Sequence, residues 1–290
     1  MSTDGAPGSR LVYLATPAMG VVPLQALVAA GHEVALVVSA ADKRRGRGSA
    51  LSPSPVKAAA LELGLPVTAD IDDVVALDPP AALGVVVAYG RIIRPPVLAV
   101  VPMVNIHFSL LPRWRGAAPV ERAILAGDER TGVCLMDVEE GLDTGGVHAR
   151  AEVPIGIDTT ADELRATLVA AGTSLLIDAL ASGLGTAEPQ VGEPTYAHKI
   201  EAAELEVDWA RSREEIHRLV RVGGAWTTFG GKRLKLWRTT LDLGVDGAVA
   251  VACGDGALGL LEVQPEGKGH MPAAAWANGA RFAPGSSLGT

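Results

Sequence analysis

The sequence contains only two cysteines among its 290 residues, and their positions exclude the usual cysteine-based sites. Cys134 and Cys253 lie far apart and match neither a zinc-ligand spacing nor a disulfide framework. Each lies in an apolar, strand-like run, where an unpaired cysteine behaves as a small buried hydrophobe. We interpret both as buried thiols, and their number gives no indication of an oxidising compartment.

Nucleotide-binding loops and long apolar runs are also absent. The turn after the first apolar run, Ala15–Gly20, lacks the G-x-G-x-x-G spacing, and no G-x-x-x-x-G-K-[ST] loop occurs, which argues against dinucleotides and nucleoside triphosphates. No uninterrupted apolar run approaches the roughly 20 residues that cross a bilayer. Met1–Arg10 is rich in Gly, Pro and Ser and lacks the apolar core of a signal peptide. These absences predict a soluble, cytoplasmic protein that does not engage a membrane.

Positive charge is scarce overall but concentrated at one place. The formal net charge of −8 argues against a general nucleic-acid binder. From Leu205 onward the chain has 10 basic and 9 acidic residues, so the whole acidic excess lies before that point. Four basic residues nevertheless fall within five positions: Lys43, Arg44, Arg45 and Arg47. An acidic protein with one basic loop can still engage a phosphate backbone locally.

Short apolar, β-branched runs alternate with helix-like stretches through the first two thirds of the chain. The predicted strands are Leu11–Ala15, Glu33–Val38, Gly84–Ala88, Val104–Phe108 and Val133–Val138. The predicted helices are Pro23–Ala30, Pro55–Leu63, Pro119–Leu125 and Asp162–Ser182. This alternation predicts an α/β fold: a Rossmann-like, mostly parallel sheet with helices on both faces. Ligands of such sheets bind beyond the carboxyl ends of the strands.

The composition and the predicted secondary structure change in the last third of the sequence. Gly183–Tyr196 is rich in Gly, Pro and Glu and is typical of a linker. A predicted helix at Arg213–Val222 is followed by short strands, which favour a small OB-like β-barrel, with a generic β-sandwich as the alternative. The predicted strands are Trp226–Phe229, Arg233–Arg238, Ala248–Ala252 and Leu258–Val263, with a hairpin turn at Gly254–Gly256. We predict three regions: a catalytic domain over residues 1–183, a linker over 184–204 and a β-barrel domain over 205–290.

An amide, an imidazole and a carboxylate follow neighbouring predicted strands. Asn105 and His107 point to the same side of one strand because side chains alternate. Asp143 lies in a turn just after the next strand. Such a set can run acyl chemistry without a protein nucleophile: donors stabilise the oxyanion, and the carboxylate orients the imidazole and helps to remove a proton. The alternative is that His107 is a hydrogen-bonded core histidine and Asp143 a turn former.

The motifs around these residues resemble those of the formyltetrahydrofolate-dependent formyltransferases. The resemblance covers nearly the whole chain, and its motifs occur in the family's order and spacing. They are Thr16-Pro17, Gly46-Arg47-Gly48, Pro53–Lys57, Val87–Gly90, Asn105-x-His107, Ser109–Pro112, Arg115–Pro119, Leu142–Gly145 and Gln264–Lys268.

The resemblance implies a reaction and a donor site. Asn105, His107 and Asp143 would be the catalytic set, and 10-formyltetrahydrofolate would be the formyl donor. The residues that would line the folate site are Ser109, Leu110, Leu111 and Pro112, with Val86, Val87, Ala88, Tyr89 and Gly90 beside the pterin ring. In the family the amine attacks the formyl carbon directly, so the resemblance implies neither a metal nor a covalent enzyme intermediate.

Two features favour an aminoacyl-tRNA acceptor, namely initiator methionyl-tRNA, whose formylation belongs to translation initiation. In family members that act on tRNA, a basic loop at the place of Lys43–Arg47 enters the acceptor stem. A C-terminal β domain can hold the tRNA body. The residues expected to contact tRNA are Lys43, Arg44, Arg45, Arg47, Lys199 and Arg233, each of which could instead be a solvated surface charge. The resemblance also suggests a monomer.

Three alternatives stay open. A formyltetrahydrofolate hydrolase and a sugar-nucleotide formyltransferase share the Asn/His/Asp core, which determines the reaction but not the acceptor. A non-catalytic RNA- or folate-binding module is the third.

Overall fold

The computed structural model describes residues 8–44, 51–283 and 288–289. The described residues form two compact units. The first comprises those within Met1–Pro119, Arg130–Pro154 and Arg165–Ala197, and the second those within Val120–Glu129, Ile155–Leu164 and His198–Thr290. The predicted domain limits of 1–183, 184–204 and 205–290 stay a prediction.

The elements up to Ala197 alternate between strands and helices, as the apolar runs predict. The strands are β1 (Arg10–Ala15), β2 (Glu33–Val38), β3 (Lys43–Arg44), β4 (Leu51–Ser52), β5 (Val67–Thr68), β6 (Leu83–Val87), β7 (Met103–His107), β8 (Arg115–Gly116), β9 (Arg130–Asp137), β10 (Val147–Pro154) and β11 (Tyr196–Ala197). The helices are α1 (Val21–Ala29), α2 (Pro55–Glu62), α3 (Pro95–Leu98), α4 (Pro119–Ala126) and α5 (Ala161–Ser182), with 3₁₀ turns at Ala18–Gly20 and Ile71–Val74.

The central sheet of the first unit has seven strands in the order β10-β9-β7-β6-β1-β2-β5. Five of them, from β7 to β5, are parallel, which confirms the mostly parallel α/β fold. β9 differs from the prediction because it runs antiparallel to β7, and β10, which the sequence did not predict, runs antiparallel to β9. The two last strands are joined directly by the connection Val138–Gly146 rather than by a helix, and a direct connection returns the chain in the opposite direction.

Helices cover both faces of this sheet, and the alternation of β7 shows how. Met103 packs in one apolar cluster with Val97 of α3. Ile106 points to the other face, where a side chain at Gly172 of α5 would come within 2.7 Å of it. The glycine therefore allows α5 to lie close to β7 and to hold that strand in place.

Helix α5 is the one helix of the described residues that is long and apolar enough to span a membrane by length and composition. The sequence showed no uninterrupted apolar run there because Asp162, Glu163 and Asp178 interrupt it. Leu168, Leu176 and Leu180 are fully buried in the protein, and a buried core helix meets the same criterion.

The second unit is built around an antiparallel sheet. Its elements are a 3₁₀ turn (Ala202–Leu205), α6 (Arg213–Val222), β12 (Trp226–Phe229), β13 (Lys232–Thr240), β14 (Val249–Cys253), β15 (Gly256–Pro265), β16 (Met271–Pro272) and α7 (Ala273–Ala280). The strands pair in the order β12-β13-β15-β14, with β16 also paired to β15. The small β domain is thereby confirmed, whereas its closure into a barrel stays a prediction.

Local sequence signals explain the second unit well. Ser212 and Glu215 form a capping box at the start of α6, and Gly223 ends that helix with a positive φ. Leu234, Leu236, Leu258 and Leu260 alternate inward from β13 and β15 to form the core. The prediction that both cysteines are buried is wrong for Cys253. Its strand β14 lies at the end of the sheet order and the residue is only partly buried, whereas Cys134 is fully buried.

Candidate active site

The candidate site lies on one face of β7 in the first unit. Asn105 and His107 occupy alternate positions and pair with Met136 and Cys134 of β9. Cross-strand partners share a face of the sheet, and these two partners belong to a small buried apolar cluster with Leu111 and Val147. Asn105 and His107 therefore lie against this apolar cluster, which we call the apolar floor, and exclusion of water there strengthens their electrostatic interactions.

The imidazole of His107 is buried, at 5 % exposure, between two oxygens from different loops. Its Nε2 lies 3.0 Å from the carbonyl oxygen of Trp114. Because a carbonyl can only accept, Nε2 carries the hydrogen. Nδ1 lies 3.6 Å from the Asp143 carboxylate, which is within ion-pair range but beyond a hydrogen bond. A proton arriving on Nδ1 would thus meet a negative charge.

Asp143 reaches His107 by a loop that folds back over the sheet. Because β9 is antiparallel to β7, its last residue Asp137 lies beside Val104, near the start of β7. The connection Val138–Gly146 brings Asp143 back, and Asp143 itself adopts a φ of 51°, a conformation uncommon outside glycine. Its Oδ2 accepts a 2.7 Å hydrogen bond from the backbone N–H of Gly116, so one oxygen faces both that N–H and His107.

The loop's return depends on the glycine at position 145. A side chain there would come within 2.0 Å of the Asp137 carbonyl oxygen, so only glycine lets the loop pass this close to the end of β9.

The amide of Asn105 is half-buried and makes no side-chain hydrogen bond to another of the described residues. A polar group in this position normally has a partner. Its amide donor is therefore available to a bound molecule.

The sequence did not identify several residues that hold these groups in place. Gln190 donates to the carbonyl oxygens of Asp143 and Gly145 at 2.8 and 2.9 Å and accepts two hydrogen bonds from Arg115 at 3.1 and 2.6 Å. Thr195 accepts a 2.9 Å hydrogen bond from the N–H of Trp114. Both lie in the segment predicted as a linker, which is hydrogen-bonded along the first unit instead of spanning free space.

The first group of predicted folate residues forms the turn after β7. Ser109 is fully buried, and its hydroxyl donates to the Arg113 carbonyl oxygen at 2.6 Å, so it shapes the turn. Leu111 is buried in the apolar floor, whereas Leu110 and Pro112 are half-buried. Any contact with a ligand therefore falls mainly to Leu110, Pro112 and the backbone.

The second group follows the neighbouring strand β6. The register pairs Val86 with Asn105, so Val87 and Ala88 lie next to His107 at adjacent strand ends. Val86 and Tyr89 belong to the core, and burial raises the pKa of the Tyr89 hydroxyl. Ala88 and Gly90 both have positive φ and stay accessible, so this turn can offer backbone groups to a flat ring.

The predicted tRNA-binding residues that the structure describes belong to both units: Lys43 and Arg44 to the first, Lys199 and Arg233 to the second. Lys43 and Arg44 are exposed on the ribbon formed by β3 and β4. Arg45 and Arg47 lie outside the described residues. Arg233 is exposed on β13 of the second unit, with its guanidinium 3.9 Å from the centre of the Trp226 ring.

Lys199 has an exposed side chain, and its backbone is held by Arg122. The guanidinium of Arg122 donates to the carbonyl oxygens of His198 and Lys199 and forms two hydrogen bonds with Glu204. Those bonds lower the pKa of Glu204 to about 2.

Within residues 8–44, 51–283 and 288–289, no three His, Cys, Asp or Glu side chains are grouped so that they could hold a metal ion. The expectation of a metal-free reaction stays a prediction.

An amide and an imidazole on β7, with a carboxylate brought beside them, can support the transfer of an acyl group. The formyl transferase family model matches residues 10–180, and the model of the formyl transferase C-terminal domain matches residues 199–281. The chain belongs to the formyl transferase family and is a formyl-transferring enzyme.

Two relatives illustrate the similarity in sequence. The methionyl-tRNA formyltransferase of Jannaschia sp. is 45 % identical over 96 % of this chain and 99 % of its own length. That of Symbiobacterium thermophilum is 43 % identical over 93 % of this chain and 92 % of its own length.

Solved structures resemble the chain in fold at much lower identity. An N-formyltransferase from Helicobacter canadensis, in complex with folinic acid and dTDP-3-aminofucose, is 17 % identical with a TM-score of 0.66, over 89 % of this chain and 99 % of that one. HypX from Aquifex aeolicus, in complex with tetrahydrofolic acid, is 18 % identical with a TM-score of 0.68, over 95 % of this chain. The chain spans about half the length of HypX, 48 %.

Proposed function

We propose that this chain transfers the formyl group of 10-formyltetrahydrofolate to the α-amino group of methionine on initiator methionyl-tRNA, a step of translation initiation. The observation that carries the proposal is the His107–Asp143 pair at 3.6 Å, in a chain about 45 % identical to a methionyl-tRNA formyltransferase over nearly all of both lengths. Both family domain models match, and the second matched region carries exposed basic residues that would be available to RNA.

The reaction exchanges one C–N bond for another and moves one proton. The acceptor amine attacks the formyl carbon, and the formyl oxygen becomes an oxyanion. The bond from carbon to N10 of the folate then breaks and the carbonyl re-forms. The attacking nitrogen loses a proton, and N10 gains one. The protein must therefore stabilise the oxyanion and transfer a proton.

The contacts of the three residues support a division of these roles. His107 donates Nε2–H to the Trp114 carbonyl oxygen, so Nδ1 is the ring nitrogen that can take the amine proton. Asp143, 3.6 Å away, would stabilise the imidazolium so formed. The amide of Asn105 has no partner among the described residues and would donate to the oxyanion. Direct donation from His107 to the oxyanion would require its Nε2–H to leave Trp114.

The donor would lie against the turns that follow β6 and β7. We assign the pterin ring to the accessible backbone of Ala88–Gly90 and the adjacent part of the donor to Leu110–Pro112. The buried members of the two predicted sets, Ser109 and Leu111 among them, would act by shaping these turns.

The acceptor assay tests the proposal most directly. The purified protein would receive 10-formyltetrahydrofolate with methionyl-initiator tRNA, glycinamide ribonucleotide, an amino-sugar nucleotide or no acceptor. We expect formylation of the charged tRNA alone. Turnover on a sugar nucleotide, or hydrolysis that is indifferent to tRNA, would replace the proposed acceptor. No reaction of the donor in any arm would contradict the catalytic proposal.

The tRNA contacts are proposed for Lys43, Arg44, Arg45 and Arg47 of the basic loop, with Lys199 and Arg233 elsewhere. Neutralising the four loop residues to glutamine should raise the tRNA KM. It should also reduce the slope of log KM against log salt by about 0.7 for each phosphate that the loop no longer neutralises. Arg130→Gln is the control for the loss of an exposed positive charge, because Arg130 is not among the residues proposed to contact tRNA. Equal salt slopes in the loop variant and the wild type would exclude a phosphate-binding role.

We further propose a cytoplasmic monomer without a membrane partner. Light scattering of the purified chain and fractionation of cells that express it test the two parts. A stable dimer or recovery with membranes would contradict them.

A further inference from the structure

One segment contacts both partners of the catalytic imidazole. It runs from Gln190 to Ala197, after helix α5, where the sequence predicted only a linker. Its first residue is bonded to the loop that carries Asp143. Its last residues are bonded to the loop that carries Trp114, whose carbonyl oxygen accepts from His107.

The side chain of Gln190 uses its full hydrogen-bonding capacity in this arrangement. Its amide group donates to the carbonyl oxygens of Asp143 and Gly145, at 2.8 and 2.9 Å. Its oxygen accepts from Nε and Nη2 of Arg115, at 3.1 and 2.6 Å. A glutamine amide has two donor hydrogens and two acceptor lone pairs, and all four are occupied here.

The far end of the segment fixes the other side of the site. Thr195 accepts from the N–H of Trp114 through its side chain, at 2.9 Å, and from the N–H of Arg115 through its carbonyl, at 2.8 Å. β11 then pairs in parallel with β8, which places Gly116 so that its N–H donates to the Asp143 carboxylate. The segment thus spans the two loops between which His107 lies.

Both loops need such support because their backbones are unusual. Asp143 and Trp114 have φ values of 51° and 64°, in the left-handed region that non-glycine residues rarely adopt. Conformations of this kind persist where the surroundings hold them. For Asp143, the carbonyl oxygen held by Gln190 belongs to the strained residue itself.

We propose that Gln190 is a positioning residue for formyl transfer: its amide holds the Asp143 carboxylate at its place beside the His107 imidazole. This proposal rests on the proposed function. Gln190 itself need not touch either substrate. Its contribution would come entirely through Asp143, and this distinguishes it from a residue that only stabilises the fold.

The first test is kinetic. In Gln190→Ala we expect kcat to fall on the order of 10-fold to 10²-fold, because a displacement of about 1 Å at a catalytic group has effects of this size. The KM values for the donor and for the charged tRNA should stay within about twofold, since no substrate contact is removed. Gln190→Glu keeps the acceptor for Arg115 but loses both donors, so it should lose as much activity as the alanine variant. Wild-type kcat in the glutamate variant would overturn the proposal.

The second test asks whether the loss passes through Asp143. The same Gln190→Ala change is made in an Asp143→Ala background, where there is no carboxylate to position. We expect a further loss of no more than about twofold, because the two changes remove one function. The same fold-loss in both backgrounds would show that Gln190 acts independently of Asp143 and would overturn the proposal.

His148→Ala is the matched control for lost stability. The His148 ring bonds the Leu184 carbonyl oxygen and the Asp137 carboxylate, so it fastens the chain just after α5 without contacting Asp143. We expect this variant to melt at a lower temperature and to keep its kcat. If it loses as much kcat as Gln190→Ala at an equal drop in melting temperature, the effect is general loosening and the proposal fails.

A third readout separates this proposal from the proposed function. If the wild type formylates no methionyl-tRNA, the proposed function fails, and kinetics on that acceptor cannot judge Gln190. The ¹⁵N chemical shifts of the His107 ring still report whether Gln190 affects the surroundings of the imidazole. They should change in Gln190→Ala and stay unchanged in His148→Ala if Gln190 holds Asp143. Unchanged shifts in both variants would overturn the positioning role.

Discussion

Two deeply buried histidines, His107 of the first unit and His217 of the second, have similar surroundings. His107 of the first unit is 5 % exposed and His217 of the second is 2 % exposed. In both, Nε2 lies 3.0 Å from a backbone carbonyl oxygen. Each ring also has an aspartate nearby, at 3.6 Å for His107 and 3.2 Å for His217. A buried histidine beside a carboxylate is therefore no signature of catalysis by itself.

The difference lies in what surrounds the second nitrogen. Nδ1 of His217 is hydrogen-bonded to the Thr239 hydroxyl at 2.8 Å, so both nitrogens of that ring are satisfied within the fold. Nδ1 of His107 faces the Asp143 carboxylate at a distance too long for a hydrogen bond. His107 also ends a parallel strand beside the Asn105 amide, whereas His217 lies in the middle of helix α6. A partly unsatisfied ring at a strand end is suited to proton transfer, and a fully bonded ring inside a helix is suited to holding the fold together.

Alanine substitution should separate the two histidines most strongly. His107→Ala removes the proton acceptor, so kcat per folded molecule should fall on the order of 10²-fold or more. The melting temperature should fall as well, because the Trp114 carbonyl oxygen loses the Nε2–H of His107. His217→Ala leaves Thr239 and the Ile157 carbonyl oxygen without their partner, so unfolding should become easier by about 1–3 kcal/mol. Its kcat per folded molecule should stay normal. Steady-state kinetics and thermal melts of both proteins check this. A normal kcat in His107→Ala, or a comparable loss of kcat in His217→Ala, would contradict the roles given to the two histidines.

The two aspartates give a smaller contrast. Asp143 is 17 % exposed and faces the catalytic ring, so Asp143→Asn should lower kcat on the order of 10-fold to 10²-fold by removing the negative charge that stabilises the imidazolium. The side chain of Asp158 is 70 % exposed, and Asp158→Asn should change kcat by less than about twofold. Equal losses of kcat in Asp143→Asn and Asp158→Asn would contradict the specific role given to Asp143.

The smallest expected effect is a pH dependence of stability that comes from the second unit. Burial lowers the pKa of His217 from its ordinary value of 6.5; Arg221 lowers it further, while the Ile157 carbonyl and Asp158 oppose the shift. A histidine held neutral contributes stability above pH 6.5 and loses it as the pH falls through its folded pKa, because the unfolded chain then binds more protons.

Melting temperatures of the wild type and of His217→Gln between about pH 7.5 and 5 measure this contribution, because the comparison cancels the groups that titrate in both proteins. The wild type should lose more stability over this interval than His217→Gln, which cannot take up a proton. Parallel curves for the two proteins would contradict the buried-histidine account.

Local patterns in the sequence predicted most of the fold. Glu33–Val38 and Arg213–Val222 match the observed strand and helix to the residue, because an apolar run and a capped amphipathic turn carry their own signals. His107 and Asp143 were predicted as neighbours and are. The sequence pattern alone places both residues at strand ends on one edge of the sheet, whereas β9 is antiparallel to β7 and the loop after it has to return toward His107.

The remaining features depend on contacts between distant parts of the chain. β10 alternates Val147, Ala149 and Ala151 with polar residues, but it lies at the edge of the sheet and carries charges, so its sequence lacks the continuous apolar run of a buried strand. Gln190 gave no signal at all, because its four hydrogen bonds join it to residues 45 to 75 positions away. Such a role becomes visible only when the loops are folded together.

A double-mutant cycle between His107 and Asp143 tests the central claim most directly. The quantity is the single-turnover rate of formyl transfer from 10-formyltetrahydrofolate to methionyl-tRNA, measured for the wild type, His107→Ala, Asp143→Asn and the double variant. If the two residues act as one proton-transfer unit, the double variant should be within about twofold of the slower single variant. A double variant slowed by the product of the two single losses would contradict the account, since the residues would then contribute independently.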